Sequence, residues 1–399
     1  MSRVILDISR LISRVRHSTP SGVDRVEMAY ARGLQRRYGD DLTFAAVHPT
    51  GRYGRIKTAT ALAYLDELER RWTQENKGHG QRSILQVLPW MLRLLPHKQP
   101  KPGPKHPVYV QVSPHHLTDH RKVRRILAGE NARFLCMVHD LIPIEYPEFA
   151  RPSGAAQHRR RMETVVACAD AVIVNSAATG RSLKPWITQS GRQIATHIAL
   201  LGTEALPPAM DAAPDARPYF VCIGTIEPRK NHLLLLNLWR NFAETLPPES
   251  VPRLVIIGRR GWENEQVLDM LDRCPALKGH VEELAGCPDR QLASLLRGAT
   301  SLLMPSFTEG FGMPVAEALS VGVPVICSNI PAHHEVGGNA PDYVDPLDGL
   351  GWKTLIADHA AKGPRWRAQV ARLTQWQAPT WDGHMRIVAT AIHDLQEKY

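Results

Sequence analysis

Short, almost purely apolar runs recur along the chain, each followed by a polar turn and then a stretch with helical spacing. In the carboxyl half, Tyr219 to Ile223, Arg253 to Ile257, Ser301 to Met304 and Pro324 to Cys327 read as strands. In the amino half, Val4 to Ile8, Thr43 to Val47, Val108 to Val112, Arg133 to Val138 and Ala171 to Val174 do the same. Strands and helices alternating in this way predict parallel, doubly wound α/β sheets. At 399 residues the chain is too long for one ordinary core. The boundaries read as a first domain over 1–200, a proline-rich linker over 201–218, a second domain over 219–380 and a closing amphipathic helix over 381–399. That tail carries Ile387, Val388, Ile392 and Leu395 at helical spacing.

The densest candidate chemistry lies in Phe307 to Glu317, FTEGFGMPVAE. Glu309 and Glu317 flank the turn Gly310-Phe311-Gly312, which follows a strand and leads into a helix whose first turn suits Pro314. The backbone donors of Gly312 and Met313 then face out of a helix N-terminus, which attracts phosphate, while the two carboxylates accept hydrogen bonds from hydroxyls. A nucleotide sugar carries both kinds of group.

A second constellation is Gly224-Thr225-Ile226-Glu227-Pro228-Arg229-Lys230-Asn231, directly after a strand. Ligands of open α/β sheets sit beyond the carboxyl ends of strands, which places Arg229 and Lys230 to neutralise a diphosphate. In the amino half, His17 to Glu27 opens a helix running to about Tyr38, with Gly22 where backbone could approach a phosphate or sugar. The strand Arg133 to Val138 ends in His139-Asp140, and Asp140 is placed to orient the imidazole.

Taken with their spacing, these segments resemble retaining glycosyltransferase family four, and the likeness continues through Gly322-Val323-Pro324-Val325-Ile326 and Glu335-Val336-Gly337-Gly338. The resemblance implies the GT-B architecture, two Rossmann-like domains facing a cleft with the last helix crossing back to the first. It implies transfer of a sugar with retention of configuration and without a metal, the departing diphosphate taking the acceptor's proton. Glu309 and His139 would meet the transferred sugar, Glu317 the ribose, and Arg229 and Lys230 the diphosphate. Gly22, Phe311, Gly312 and Met313 would complete the donor site. Many members carry an Arg after the first glycine of the basic loop, where this chain has Thr225. The forms GTIEPRKN and His139-Asp140-Leu141-Ile142-Pro143 look most like bacterial mannosyl- and rhamnosyltransferases of surface polysaccharides, which favours GDP-mannose as donor and a glycan, free or lipid-linked, as acceptor.

The formal net charge is +10. Part of it gathers in an insertion over 52–106, where Arg82 precedes the apolar stretch Ile84 to Leu95, and Lys98, Lys101 and Lys105 follow it. Such a stretch is too short to span a bilayer. It suits either the inner membrane surface or a helix packed on the protein. No zinc-finger spacing or aromatic RNA motif supports nucleic acid as a partner. The six cysteines are scattered without metal-ligand spacing, and Arg3, Asp7, Arg10 and Arg14 interrupt any signal-peptide core, so a reducing cytoplasm is expected. Two other readings remain open: a nucleotide-sugar epimerase of the same architecture, and a non-enzymatic membrane or polyanion adaptor.

Overall fold

The computed structural model describes residues 4–17, 19–73, 83–97, 106–208 and 217–397. Ser18, Arg82, Lys98, Lys101, Lys105 and the stretch 209–216 of the expected linker lie outside the described residues. Two compact units result. The first comprises Met1–Glu145, Ser153–Gly202 and Thr380–Tyr399, and the second Tyr146–Pro152 and Thr203–Pro379. The short piece Tyr146–Pro152, expected within the first domain, therefore belongs to the second unit.

The first unit holds β1 (Val4–Asp7), β2 (Leu42–Val47), β3 (Tyr53–Ile56), β4 (Val108–Gln111), β5 (Arg133–Val138), β6 (Ala171–Val174) and β7 (Ala195–Ile198), in the order β3-β2-β1-β4-β5-β6-β7. The second holds β8 (Tyr219–Ile223), β9 (Arg253–Ile257), β10 (Val281–Leu284), β11 (Ser301–Met304), β12 (Val325–Ser328) and β13 (Asp342–Val344), in the order β10-β9-β8-β11-β12-β13. Chain order reverses direction between β1 and β4 in one sheet and between β8 and β11 in the other. These are the topological switch points at which open α/β sheets bind ligands.

The central strands β1, β4, β6, β11 and β12 are buried along their whole length. That is why their sequences are continuous apolar runs: helices cover both faces of the sheet. The expectation of wholly parallel sheets needs one correction, because β3 runs antiparallel to β2, with Phe44 opposite Ile56. As an edge strand it needs no crossover helix. The strands β3, β7, β10 and β13 had no signal in the apolar runs, since edge strands are half-exposed or very short.

The helix Trp381–Glu397 belongs to the first unit and buries Met385, Val388, Ile392 and Leu395, while Ile387 is half-buried. It packs against the helix Gly22–Tyr38, where a Cβ on Gly33 would lie 2.8 Å from Met385. His384 Nε2 lies 2.8 Å from the Tyr30 hydroxyl and its Nδ1 3.0 Å from the Leu200 carbonyl. In the second unit, Trp239 and Trp352 are fully buried and donate their indole N–H groups to Pro252 and Asp345 carbonyls. All six cysteines are unpaired, and Cys136, Cys222 and Cys327 are buried in strands. Among the described residues no helix is long and apolar enough to cross a membrane.

Candidate functional site

The two most distinctive sequence segments leave adjacent strands at the second unit's switch point. The loop after β8 begins at Gly224, whose φ of 144° suits glycine. A Cβ on Gly258, at the end of the neighbouring β9, would fall 1.8 Å from the Gly224 carbonyl oxygen, so only hydrogen fits there. The loop closes with a 3-10 turn, Pro228–Lys230, and with Asn231 in the left-handed region, its side-chain Nδ2 donating to the Pro346 carbonyl. The loop after β11 ends at Gly312, with φ 101°, which caps the helix Met313–Ser320 without any side-chain acceptor. Pro314 lies in that helix's first turn, where its missing N–H removes one unpaired donor.

These loops are stitched together across 79 or 80 residues of sequence. The Phe307 amide donates to the Arg229 carbonyl at 2.9 Å. Arg229 Nη1 donates to the Thr308 carbonyl at 2.9 Å and to Glu309 Oε2 at 2.5 Å. Lys230 Nζ reaches Glu309 Oε1 at 2.6 Å, and the Ser306 hydroxyl donates to the same oxygen at 2.8 Å. On the far side of the guanidinium, Nε and Nη2 both donate to Glu227 Oε1, at 3.0 and 2.6 Å. The side chains of Glu227, Lys230 and Glu309 are between 6% and 10% exposed, so water screens these pairs weakly.

Arg229 and Lys230, expected to face a diphosphate, are here paired with Glu227 and Glu309. Two arginine and lysine charges face two glutamate charges, so the cluster is balanced. Burial alone would raise the Glu309 carboxyl, but Arg229 and then Lys230 outweigh it and hold the group well below the usual carboxylate range. Glu309 is thus held ionised near neutrality, with both oxygens engaged. His333 lies behind the turn: a Cβ on Gly312 would be 3.1 Å from its ring. Its Nδ1 donates to the Ser328 carbonyl, which leaves Nε2 as a buried lone pair without a partner among the described residues. Burial pushes this imidazole down to about 4 despite the nearby Glu309.

Glu317 is half-buried in the first turns of the helix Met313–Ser320, and the Phe311 side chain is buried, so only its backbone could face a ligand. Glu227, Ser306 and His333 were missed from sequence. The first two stand beside the motifs and could have been found by asking what neutralises Arg229 and Glu309. His333 carries no signal, since its approach depends on how the helix Pro331–Gly337 packs.

Gly22 and His139 belong to the first unit. Gly22 is the first residue of the helix Gly22–Tyr38, whose start is taken by a reciprocal capping box between Ser21 and Asp24. Asp24 is fully buried and paired with Arg10 Nε at 2.6 Å and Arg14 Nε at 3.0 Å. The Asp24 carboxylate thus accepts the Ser21 amide at the start of this helix, and Gly22 is half-buried. His139 donates from Nε2 to the Val112 carbonyl at 2.7 Å, and burial lowers its basicity. Asp140 does not orient the ring as expected: its carboxylate accepts the Ile142 amide at 3.1 Å. Beside β1, Glu27 is fully buried, and desolvation followed by Asp7 raises its carboxyl to about 8.

A family model described as glycosyl transferases group 1 matches residues 209–341, the stretch that contains both loops. The chain carries a group 1 glycosyltransferase domain. Over 132 residues it is 41% identical to O-antigen chain mannosyltransferase B of Escherichia coli, a match covering 33% of each chain. Over 144 residues it is 33% identical to the O-antigen chain mannosyltransferase RfbU of Salmonella typhimurium, covering 35% of this chain and 37% of that one. The chain thus spans about a third of these relatives' length. Among solved structures, sucrose-phosphate synthase of Thermosynechococcus elongatus aligns over 100% of both chains with a TM-score of 0.64 and 15% identity. Trehalose-6-phosphate synthase OtsA aligns over 99% of both with a TM-score of 0.62 and 13% identity. The group 1 domain is accordingly set within a GT-B fold.

Proposed function

We propose that this protein transfers a hexose, mannose in the favoured reading, from a nucleotide sugar to a glycan acceptor with retention of configuration. The observation that carries the proposal is the joining, at the β8–β11 switch point, of the basic pair to Glu309 beneath an uncapped helix N-terminus. The mannosyltransferase names of the relatives support the choice of sugar, and GDP-mannose follows as the first donor to test.

In this reading Glu309 is not a nucleophile. A carboxylate bound by Arg229, Lys230 and Ser306 has little free electron density to form a glycosyl bond. It holds the two cations in place instead. The diphosphate is received by the backbone donors at Gly312 and Met313 and by the ammonium of Lys230, which has three hydrogens to share. As the bond to the anomeric carbon breaks, the leaving group gains charge facing donors that need no reorganisation. Fixed cations make a bound metal unnecessary in this scheme. Glu317 accepts from the ribose, and His139, whose Nδ1 is an acceptor when Nε2 donates, contacts the sugar. The acceptor is a glycan carried on a lipid, with the enzyme peripheral on the cytoplasmic membrane face.

The test incubates the purified protein with GDP-mannose and other nucleotide sugars, an oligomannose acceptor and a chelator, following the product's anomeric signals by NMR. Retained configuration at an undiminished rate is expected. Inversion, or collapse of the rate with chelator, overturns the mechanism, and conversion of the donor without acceptor selects the epimerase reading.

A further inference from the structure

The insertion in the first unit forms a helix, Ile84–Arg93, started by a reciprocal capping box between Ser83 and Gln86. Only part of it packs on the protein. Val87 and Leu94 are buried, and Trp90 meets Tyr64 of the helix Thr58–Thr73 with ring centroids 5.4 Å apart. The opposite side shows Ile84 at 65%, Leu85 at 81%, Leu88 at 43%, Leu92 at 59% and Leu95 at 39% exposure. Within the helix, positions 84, 88 and 92 recur at helical spacing with Leu85 beside them, so these side chains form one continuous stripe, and exposed Leu95 follows just beyond the helix end.

We propose that this stripe seats the protein on an anionic lipid surface. Exposed cations lie on the helix and on the segments that adjoin it. Arg93 is exposed on the same helix, with its guanidinium 5.7 Å from the Trp90 ring. The turn before β3 reaches the helix through His48, whose Nε2 lies 3.1 Å from the Met91 carbonyl, and that turn carries exposed Arg52. The stretch after the helix bridges to β3 by Arg55 and His97, beside exposed Lys57. The acids of the adjoining helix Thr58–Thr73 are paired, Asp66 and Glu69 with Arg32 and Glu67 with Arg70 and Arg71, and Glu130 pairs with Arg55.

A second protein fits less well. The stripe offers on the order of 500 Å² of apolar surface, enough to mark an interaction site but short of the roughly 800 Å² per partner of a stable interface. It is purely aliphatic, without the aromatic and hydrogen-bonding groups that give protein interfaces their specificity. Pro89 lies inside the helix and has no N–H for the Leu85 carbonyl. That carbonyl is costly in a dry interface and tolerable in the hydrated headgroup zone, where amphipathic helices lie in the interface plane. This inference stands independently of the glycosyl-transfer reading.

The test is co-sedimentation of the full-length protein with vesicles of phosphatidylethanolamine and phosphatidylglycerol, and with phosphatidylcholine vesicles, at low salt and at about 0.5 M salt. Binding to the anionic vesicles at low salt, weakened by salt and several-fold weaker on neutral vesicles, is expected. Leu85→Ser with Leu92→Ser, both at exposed positions, should lower partitioning at least about tenfold with unchanged circular dichroism. Arg93→Glu should lower it by about tenfold on anionic vesicles alone. Absence of wild-type binding overturns the proposal, as does equal binding by the variants. A wild-type dimer dissociated by the double substitution, without vesicle binding, would assign the stripe to a second copy instead.

Discussion

Replacing Glu309 with Gln separates its two possible roles, because the amide keeps the shape and can still accept from Ser306 while losing the charge. In the folded protein Arg229 would keep Glu227, but Lys230 would lose the one glutamate it pairs with among the described residues, in a site where its side chain is 10% exposed. Removing one member of a nearly buried pair typically costs about 3–5 kcal/mol, since the remaining charge is left uncompensated. At roughly 2–4 °C per kcal/mol for a unit of this size, the melting transition should fall by about 10 °C. The pH dependence has a definite sign. Glu309 has a depressed folded pKa, so its contribution is complete above the ordinary carboxylate range and lost as pH falls through the folded value. The gap between wild type and variant should therefore be constant near neutrality and shrink only in acid. Urea denaturation of Glu309→Gln, Lys230→Met and the double variant checks this, with a coupling of about 1–3 kcal/mol expected. The same substitution frees Lys230 for anions, so GDP binding measured by calorimetry should tighten by up to about tenfold while turnover falls. Strict additivity of the two substitutions, or looser GDP binding in a folded variant, would refute the reasoning.

Lys230→Ala should weaken GDP strongly and leave guanosine nearly unchanged, and parallel losses of both would make the lysine purely structural. Glu317→Ala should instead weaken guanosine and GDP alike by about 1–3 kcal/mol through a lost ribose hydrogen bond, and selective loss of GDP alone would remove it from the ribose. Burial pushes His232, His333 and His384 down to about 3, 4 and 4, whereas the unfolded value is near 6.5, so unfolding takes up protons between those limits. These histidines should make stability rise with pH from about 4 to about 6.5, opposed by Glu27, whose carboxyl, raised to about 8, keeps a proton in the folded state that the unfolded chain has lost; a flat melting temperature across that window would contradict a net histidine contribution. Gly258→Ala must push the Gly224 carbonyl aside, and should cost about 3 kcal/mol or more and weaken nucleotide binding, whereas native stability with native affinity would show that the loop tolerates the shift.

Much of the fold was legible because the chemistry of a parallel sheet is written locally. Strands buried on both faces must be apolar throughout, and β5, β6, β8, β9 and β11 occupy the residues that their apolar runs predicted. Edge strands face water on one side and lose that mark, which hid β3, β7, β10 and β13. The turn from Glu309 to Pro314 was equally local, since glycine at a left-handed position and proline in a first helical turn are properties of single residues.

What the sequence by itself determined, then, was the list of elements and the polar residues at their carboxyl ends. Tertiary structure decided which ends meet. Nothing in the order of the chain says that β11 lies beside β8, with β9 and β10 on the far side, yet that adjacency alone brings Glu309 to Arg229 and Lys230. The contact adds to all three a property that no local pattern shows, membership of a balanced, nearly buried ion cluster. Local pattern sets backbone conformation through forces that act within a turn or a strand. Charge pairing is set by distances across the sheet, and those exist only once the strands have been ordered.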